Sequence, residues 1–128
     1  MRNKIQNLTN MKKQTFFIVV FGLLLASCQQ NQELIPYRKG DKWGFCTPDK
    51  KVVIQPKYDD ALPFHEGLAR VELNGKYGII DKTGKEIVPP KYGYVWDFQE
   101  GLAWVMLNGK KFYIKIFPDG KVVEYYED

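Results

Sequence analysis

The chain has 128 residues, enough for one small domain, and 45% of them are hydrophobic. Its 19 Lys and Arg outnumber its 15 Asp and Glu, but the excess is local: Arg2, Lys4, Lys12 and Lys13 precede Cys28, and no acidic residue does. The part after Cys28 is therefore neutral, so the pI of about 9.0 is no argument for a nucleic-acid partner, and none is expected.

The first element in chain order is a leader. Lys12 and Lys13 make a positive start, and residues 16–26 (FFIVVFGLLLA) form an apolar run. A bilayer-spanning helix needs roughly 20 such residues, so this shorter run predicts a signal helix instead. Met11, followed by the two lysines, is an alternative start. The run ends in Leu25-Ala26-Ser27-Cys28, which resembles the lipobox of bacterial lipoproteins: an aliphatic residue, two small residues, then Cys. That resemblance implies that residues 1–27 are a signal peptide and that Cys28 carries lipid as the mature N-terminus. The membrane is then a partner through that lipid. Gln29 is not Asp, which by resemblance to the sorting rule of Gram-negative lipoproteins implies the outer membrane, with the periplasmic or exterior face left open. The competing reading is an ordinary secretory signal with an incidental cysteine. Residues 29–32 are polar, and residues 28–39 are expected to be a tether. With Cys28 blocked, Cys46 has no partner in the chain. It reads as a buried small apolar residue, with a free reactive thiol as the other option. Pairing of the two cysteines requires the lipobox reading to fail.

The remainder repeats. Lys42-Trp43-Gly44-Phe45 matches Lys76-Tyr77-Gly78-Ile79, Pro56-Lys57-Tyr58 matches Pro90-Lys91-Tyr92, and Asn74-Gly75-Lys76 matches Asn108-Gly109-Lys110. Phe64, Glu66, Gly67, Leu68 and Ala69 match Phe98, Glu100, Gly101, Leu102 and Ala103, always 34 residues apart. A partial third copy begins at Lys110, and its Asp119-Gly120-Lys121 matches Thr83-Gly84-Lys85 after a shift of two. A period of 34 also suits a helical tetratricopeptide unit, but Asn-Gly turns, mid-unit prolines and short β-branched runs exclude it. Ala69, Val71 and Leu73 alternate with Arg70 and Glu72, the period of a half-buried strand. Asn74-Gly75 tolerates the positive φ of a type I′ turn, and residues 77–80 return. The second copy repeats this with Ala103, Val105, Leu107, then Asn108-Gly109. A second turn follows in each unit, at residues 48–51 and 81–85, and leads to a short strand whose pairing Pro56 or Pro90 should stop. The fold class expected is all-β: antiparallel hairpin repeats of 34 residues, two full and one partial, as a meander, a rolled sheet or a short solenoid. The domain is placed at residues 40–124, with a tail at 125–128.

Lys42-Trp43-Gly44, the Pro-Lys-Tyr triplets and Phe-x-Glu-Gly-Leu-Ala followed by Asn-Gly-Lys resemble the WG-repeat family of bacterial β-repeat proteins, over about residues 40–123. The second copy departs with Tyr77 for Trp and the third with Lys111-Phe112 for Trp-Gly. The resemblance implies a β fold and an envelope setting, and no activity. A degenerate last copy is expected to act as a cap.

Ten residues are assigned to the repeat itself: Trp43, Gly44, Gly67, Asn74, Gly75, Tyr77, Gly78, Gly101, Asn108 and Gly109. Gly78 should lie opposite Val71, leaving room for a neighbouring ring, and Trp43 and Tyr77 should pack units together, with ligand stacking as the lesser option. Glu66 and Glu100 recur with the repeat and suit structural hydrogen bonds. His65 is the sole histidine and its equivalent is Gln99, so it reads as surface. No metal set, serine nucleophile or phosphate loop occurs. A Cys46–His65 dyad is the one formal route to a hydrolase. No catalytic residue and no cofactor is assigned, and an enzyme is disfavoured. The informative positions are those where the copies differ. Trp104 and Met106 replace Arg70 and Glu72, Trp96 replaces Leu62, Tyr94 replaces Asp60, and Tyr113 lies nearby across the turn. Either the last partial copy or the tail (Tyr125-Tyr126) covers this face, or it is an aromatic platform. The expectation is an envelope module that binds or scaffolds a protein partner, with glycan or peptidoglycan-fragment binding as the alternative.

Overall fold

The structure, a computed structural model, describes residues 32–127. The expected signal helix and Cys28 lie outside those residues. The described part is all β, with strands β1 (Ile35–Lys39), β2 (Lys42–Cys46), β3 (Val52–Tyr58), β4 (Asp60–Ala61), β5 (Leu68–Leu73), β6 (Lys76–Asp81), β7 (Glu86–Tyr92), β8 (Tyr94–Gln99), β9 (Leu102–Leu107), β10 (Lys110–Ile116) and β11 (Val122–Tyr125). They form three antiparallel meanders in succession, β1-β2-β3, β4-β5-β6-β7 and β8-β9-β10-β11. The chain therefore builds several small sheets in series rather than one continuous sheet.

Local chemistry explains the hairpins. Asn74 (φ 53°) and Gly75 (φ 77°) make the tight turn between β5 and β6, and Asn108 and Gly109 repeat it between β9 and β10 with the same angles. That pair of positive φ values matches the twist of the flanking strands. Leu73 then faces Lys76, and Val71 faces Gly78 as expected. Glu66-Gly67 (φ 52° and 76°) and Glu100-Gly101 (φ 51° and 73°) are turns of the same kind ahead of β5 and β9. The turns at Asp81 and Phe117 also correspond: Gly84 N–H donates to Asp81 O and Gly120 N–H to Phe117 O.

Four expectations are corrected. The tether does not reach Lys39, because Leu34 is buried and β1 pairs with β2 from Ile35↔Cys46 to Lys39↔Lys42. This strand is the counterpart of β5, with Gly40 (φ 64°) opening its turn. At the other end Tyr125 belongs to β11, opposite Tyr113, rather than to a tail. The prolines do not end their strands. Trp43 faces Tyr58 and Phe45 faces Ile54, so residues 55–57 stand opposite Gly44 alone, and pairing resumes beyond the bulge. The same bulge in β7 sets residues 89–91 against Gly78. It also changes why these glycines are needed. A Cβ on Gly78 would lie 2.6 Å from Val88 O and 2.8 Å from Pro90 N, and one on Gly44 would strike Ile54 O. The room is taken by bulged backbone, not by a ring. β11 pairs with β10 only from Tyr113 to Ile116 and stops short of Phe112, which stands where Gly44 and Gly78 stand in the earlier units.

The core lies between sheets. Leu34, Phe45, Ile54 and Tyr58 of the first sheet pack against Ala61, Ala69, Val71 and Ile80 of the second. Ile79, Val88 and Tyr92 of the second pack against Val95, Phe98, Ala103, Val105, Phe112 and Ile114 of the third. Alternate residues of a strand face opposite sides, so the middle sheet contributes both faces to burial.

Candidate functional site: the aromatic face of the last sheet

β8, β9 and β10 carry the five residues singled out by comparing the copies, and register brings them together. Tyr94 and Lys111 both face Met106 across β9, and Tyr113 faces Trp104. The Trp104 and Tyr113 rings meet edge to face at 5.4 Å, and those of Tyr94 and Trp96 at 4.7 Å. Lys111 joins the two pairs, its Nζ lying 5.1 Å from the Trp96 ring centroid and 4.6 Å from that of Trp104. Tyr94 and Trp104 are exposed, while Trp96, Met106 and Tyr113 are half-buried. A cleft of about 560 Å³ adjoins the strip, lined by Leu102, Trp104 and Tyr113 on one side and Asp97, Gln99 and Glu100 on the other.

Sequence comparison missed several members of this face. Lys111 becomes visible only once the hairpin register places it beside Met106. Tyr125 does not cover the face but extends it, stacking on Tyr113 at 5.1 Å with 9° between the planes. Tyr126 instead packs on Phe112 at 4.7 Å. Tyr77 adds a ring 5.2 Å from Tyr94, and burial, with Glu72 nearby, pushes its hydroxyl pKa up. Arg70 is not an outward surface residue. Its guanidinium donates to Val95 O, approaches Asp97 at 3.9 Å and lies over the Tyr77 and Tyr94 rings, bridging the second and third sheets.

The repeat-structural residues lie where the units meet. Trp43 and Tyr77 are half-buried against the cores between sheets, Trp43 also under Arg38. The Glu66 carboxylate accepts the backbone N–H of Glu100 (2.9 Å) and of Gly101 (3.3 Å). One unit's turn residue thus holds the same turn of the next unit. Those N–H groups, the Glu100 one foremost, hold the Glu66 pKa below the usual carboxylate range. In the sequence the tyrosines of the Pro-Lys-Tyr triplets mark the repeat, and in the structure both are core. Tyr58 Oη donates to Glu86 (3.3 Å) and Tyr92 Oη to Glu124 (3.0 Å), each across to the following unit.

Cys46 is buried in β2, and His65 is exposed with its ring 6.0 Å from Phe98. Among the described residues no hydrogen bond joins these two side chains.

The WG containing repeat model matches residues 43–77 and 77–110, adjoining copies that together cover more than half of the chain. The chain belongs to the WG containing repeat family. The matched copies run from β2 to the start of β10, so the strand that precedes them and the strand that follows them complete the WG-repeat domain at its two ends. No match was found among curated proteins or among solved structures.

Proposed function

We propose that this is a bacterial lipoprotein of the cell envelope, anchored through Cys28, whose WG-repeat domain binds a protein partner through the aromatic face of its last sheet. The observation that carries the binding role is the exposure of Trp104, 36%, on the inner strand β9 of a regular sheet, with Tyr94, also 36%, at the start of the neighbouring edge strand β8. Tyr, Trp and Arg are the residues that concentrate binding energy at protein interfaces. A protein surface suits this face better than a sugar ring. The Tyr94–Trp96 and Trp104–Tyr113 pairs meet edge to face, Tyr125 lies flat on Tyr113 and Lys111 lies over both tryptophans, so edges and a cation are offered more than flat open faces. The anchor rests on the leader followed by Leu25-Ala26-Ser27-Cys28. Several acyl chains give stable attachment, since each buried CH₂ contributes about 0.8 kcal/mol and one chain alone is marginal. Gln29 favours the outer membrane.

The full chain, expressed in a bacterial host that processes lipoproteins, tests both parts. Intact mass and palmitate labelling should show an acylated chain beginning at residue 28, lost in Cys28→Ala. An unmodified chain retaining residues 1–27 would overturn the anchor. Crosslinking in cells should capture a protein partner that is lost in Trp104→Ala and Trp96→Ala. Capture unchanged in both variants would overturn the binding face. Loss of binding to isolated cell-wall polysaccharide in those variants, with protein capture intact, would put the glycan reading first.

A further inference from the structure

We propose that the aromatic face of the last sheet is covered by the first sheet of a second copy of this chain, so that copies stack head to tail. The proposal rests on the binding role above and names its occupant. The argument is the order of the units. The side of the first sheet that carries Leu34 and Phe45 is covered by Ala69, Val71 and Ile80 of the second. The side of the second sheet that carries Ile79, with Leu68 and Tyr77 packed alongside, is covered by Ala103, Val105 and Ile114 of the third. The side of the third sheet that carries Leu102, Trp104 and Tyr113 comes next in the series, and among the described residues no further sheet lies on it. Leu34 is 6% exposed and its counterpart Leu102 is 41% exposed.

A repeat array ordinarily ends in a polar face that tolerates water. Here the uncovered face is more apolar than its covered counterpart, with Trp104 and Met106 where Arg70 and Glu72 stand. The last unit is therefore not the cap that its degenerate sequence suggests. The complement lies at the other end of the same chain. The covering residues Ala69 and Val71 have Ile35 and Tyr37 as their counterparts in β1. Ile35 pairs with Cys46, neighbour of the inward-facing Phe45, so this side of β1 points away from the second sheet. Ile35 is 38% exposed. Among the described residues, every exposed large apolar side chain belongs to the first or last sheet or the residue after it, and none to β4–β7. Glu100 also stands where Glu66 stands, and Glu66 receives the backbone N–H groups of the next unit. The chain after Cys28 is neutral, so copies approach without net repulsion. A contact between unlike ends leaves a free face of each kind on every pair, so it adds further copies, as an open row or until a ring closes.

Sedimentation velocity of the full chain in density-matched detergent tests this. The wild type should show mass rising with concentration beyond a dimer. Leu102→Asp/Trp104→Asp, which spoils the last sheet, and Ile35→Asp, which spoils the first, should each remain monomeric alone. Mixed in equal amounts they should form a dimer and nothing larger, since one good face of each kind survives, and that rescue shows both variants to be folded. A wild type that stays monomeric overturns the proposal while leaving the partner-binding reading to its own capture experiment. Self-association abolished by Leu102→Asp/Trp104→Asp but retained by Ile35→Asp overturns head-to-tail stacking in favour of pairing between two last sheets.

Discussion

At the scale of single residues, the glycines separate two kinds of constraint. Gly75 needs only its backbone angle: φ is 77° and nothing lies within 4 Å of a Cβ built there. Gly75→Ala should cost about 1–2 kcal/mol, the penalty of a left-handed alanine. Gly78 needs empty space, because the atoms a Cβ would meet are the backbone of Val88 and Pro90. Backbone yields less than a side chain, so Gly78→Ala should cost about 3 kcal/mol, the upper part of the usual overpacking range. Denaturant unfolding of the two variants should give that order, and equal losses would show that the bulge relaxes freely. The need for glycine beside Trp43 and Tyr77 was legible in the sequence, but its cause was not. A proline inside a strand can end pairing or be carried by a bulge, and only the register decides. Tyr58 makes a second residue-scale prediction. Burial, with Glu86 adding, pushes its pKa up to about 12 from the ordinary 10.0. A group whose folded pKa is raised stabilises the fold fully below its unfolded value and loses that contribution as pH rises through the folded one. Stability should therefore fall between about pH 10 and 12. Tyr58→Phe should weaken that fall, as read by thermal unfolding at a series of alkaline pH values.

At the scale of elements, the repeat is a way of fastening one meander to the next. Hydrophobic alternation in β5 and β9, the Asn-Gly turns and the pairing of Val71 with Gly78 were all readable in advance, because they depend on contacts within one unit. The joints between units were not. They join residues far apart in sequence: Glu66 with Glu100 and Gly101, Arg70 with Val95, Tyr92 with Glu124. Recurrence of Glu66 and Glu100 pointed to a hydrogen bond but could not name its partner. The Glu66 joint has a direct test. Because its folded pKa is depressed, its contribution is present above the unfolded carboxylate value, ordinarily near 4.5, and is lost as pH falls below it. Glu66→Ala at neutral pH should lower hydrogen-exchange protection at the Glu100 and Gly101 amides while leaving β5–β6 amides protected. Unchanged protection at those two amides would show that apolar packing alone fixes the joint.

At the scale of the whole molecule, the aromatic face illustrates what sequence comparison reads well and what it does not. Tyr94, Trp96, Trp104, Met106 and Tyr113 stood out because the earlier copy lacks them, and they do share one face. That this face is the last in a series of covered ones needed the sheet order. The start of the domain was missed because Ile35-Pro36-Tyr37 shares few letters with Ala69-Arg70-Val71, although both segments fold as the same strand. The bulge also bears on how such a chain could be lengthened. Phe112 occupies the site where each unit followed by a proline bulge has glycine, so a bulged Pro-Lys-Tyr strand paired with β10 would meet its Cβ. An extra 34-residue unit spliced in between Tyr77 and Lys110, bringing its own glycine, meets no such obstacle. This protein is extensible from within, wherever an inserted unit brings the glycine that its bulge requires.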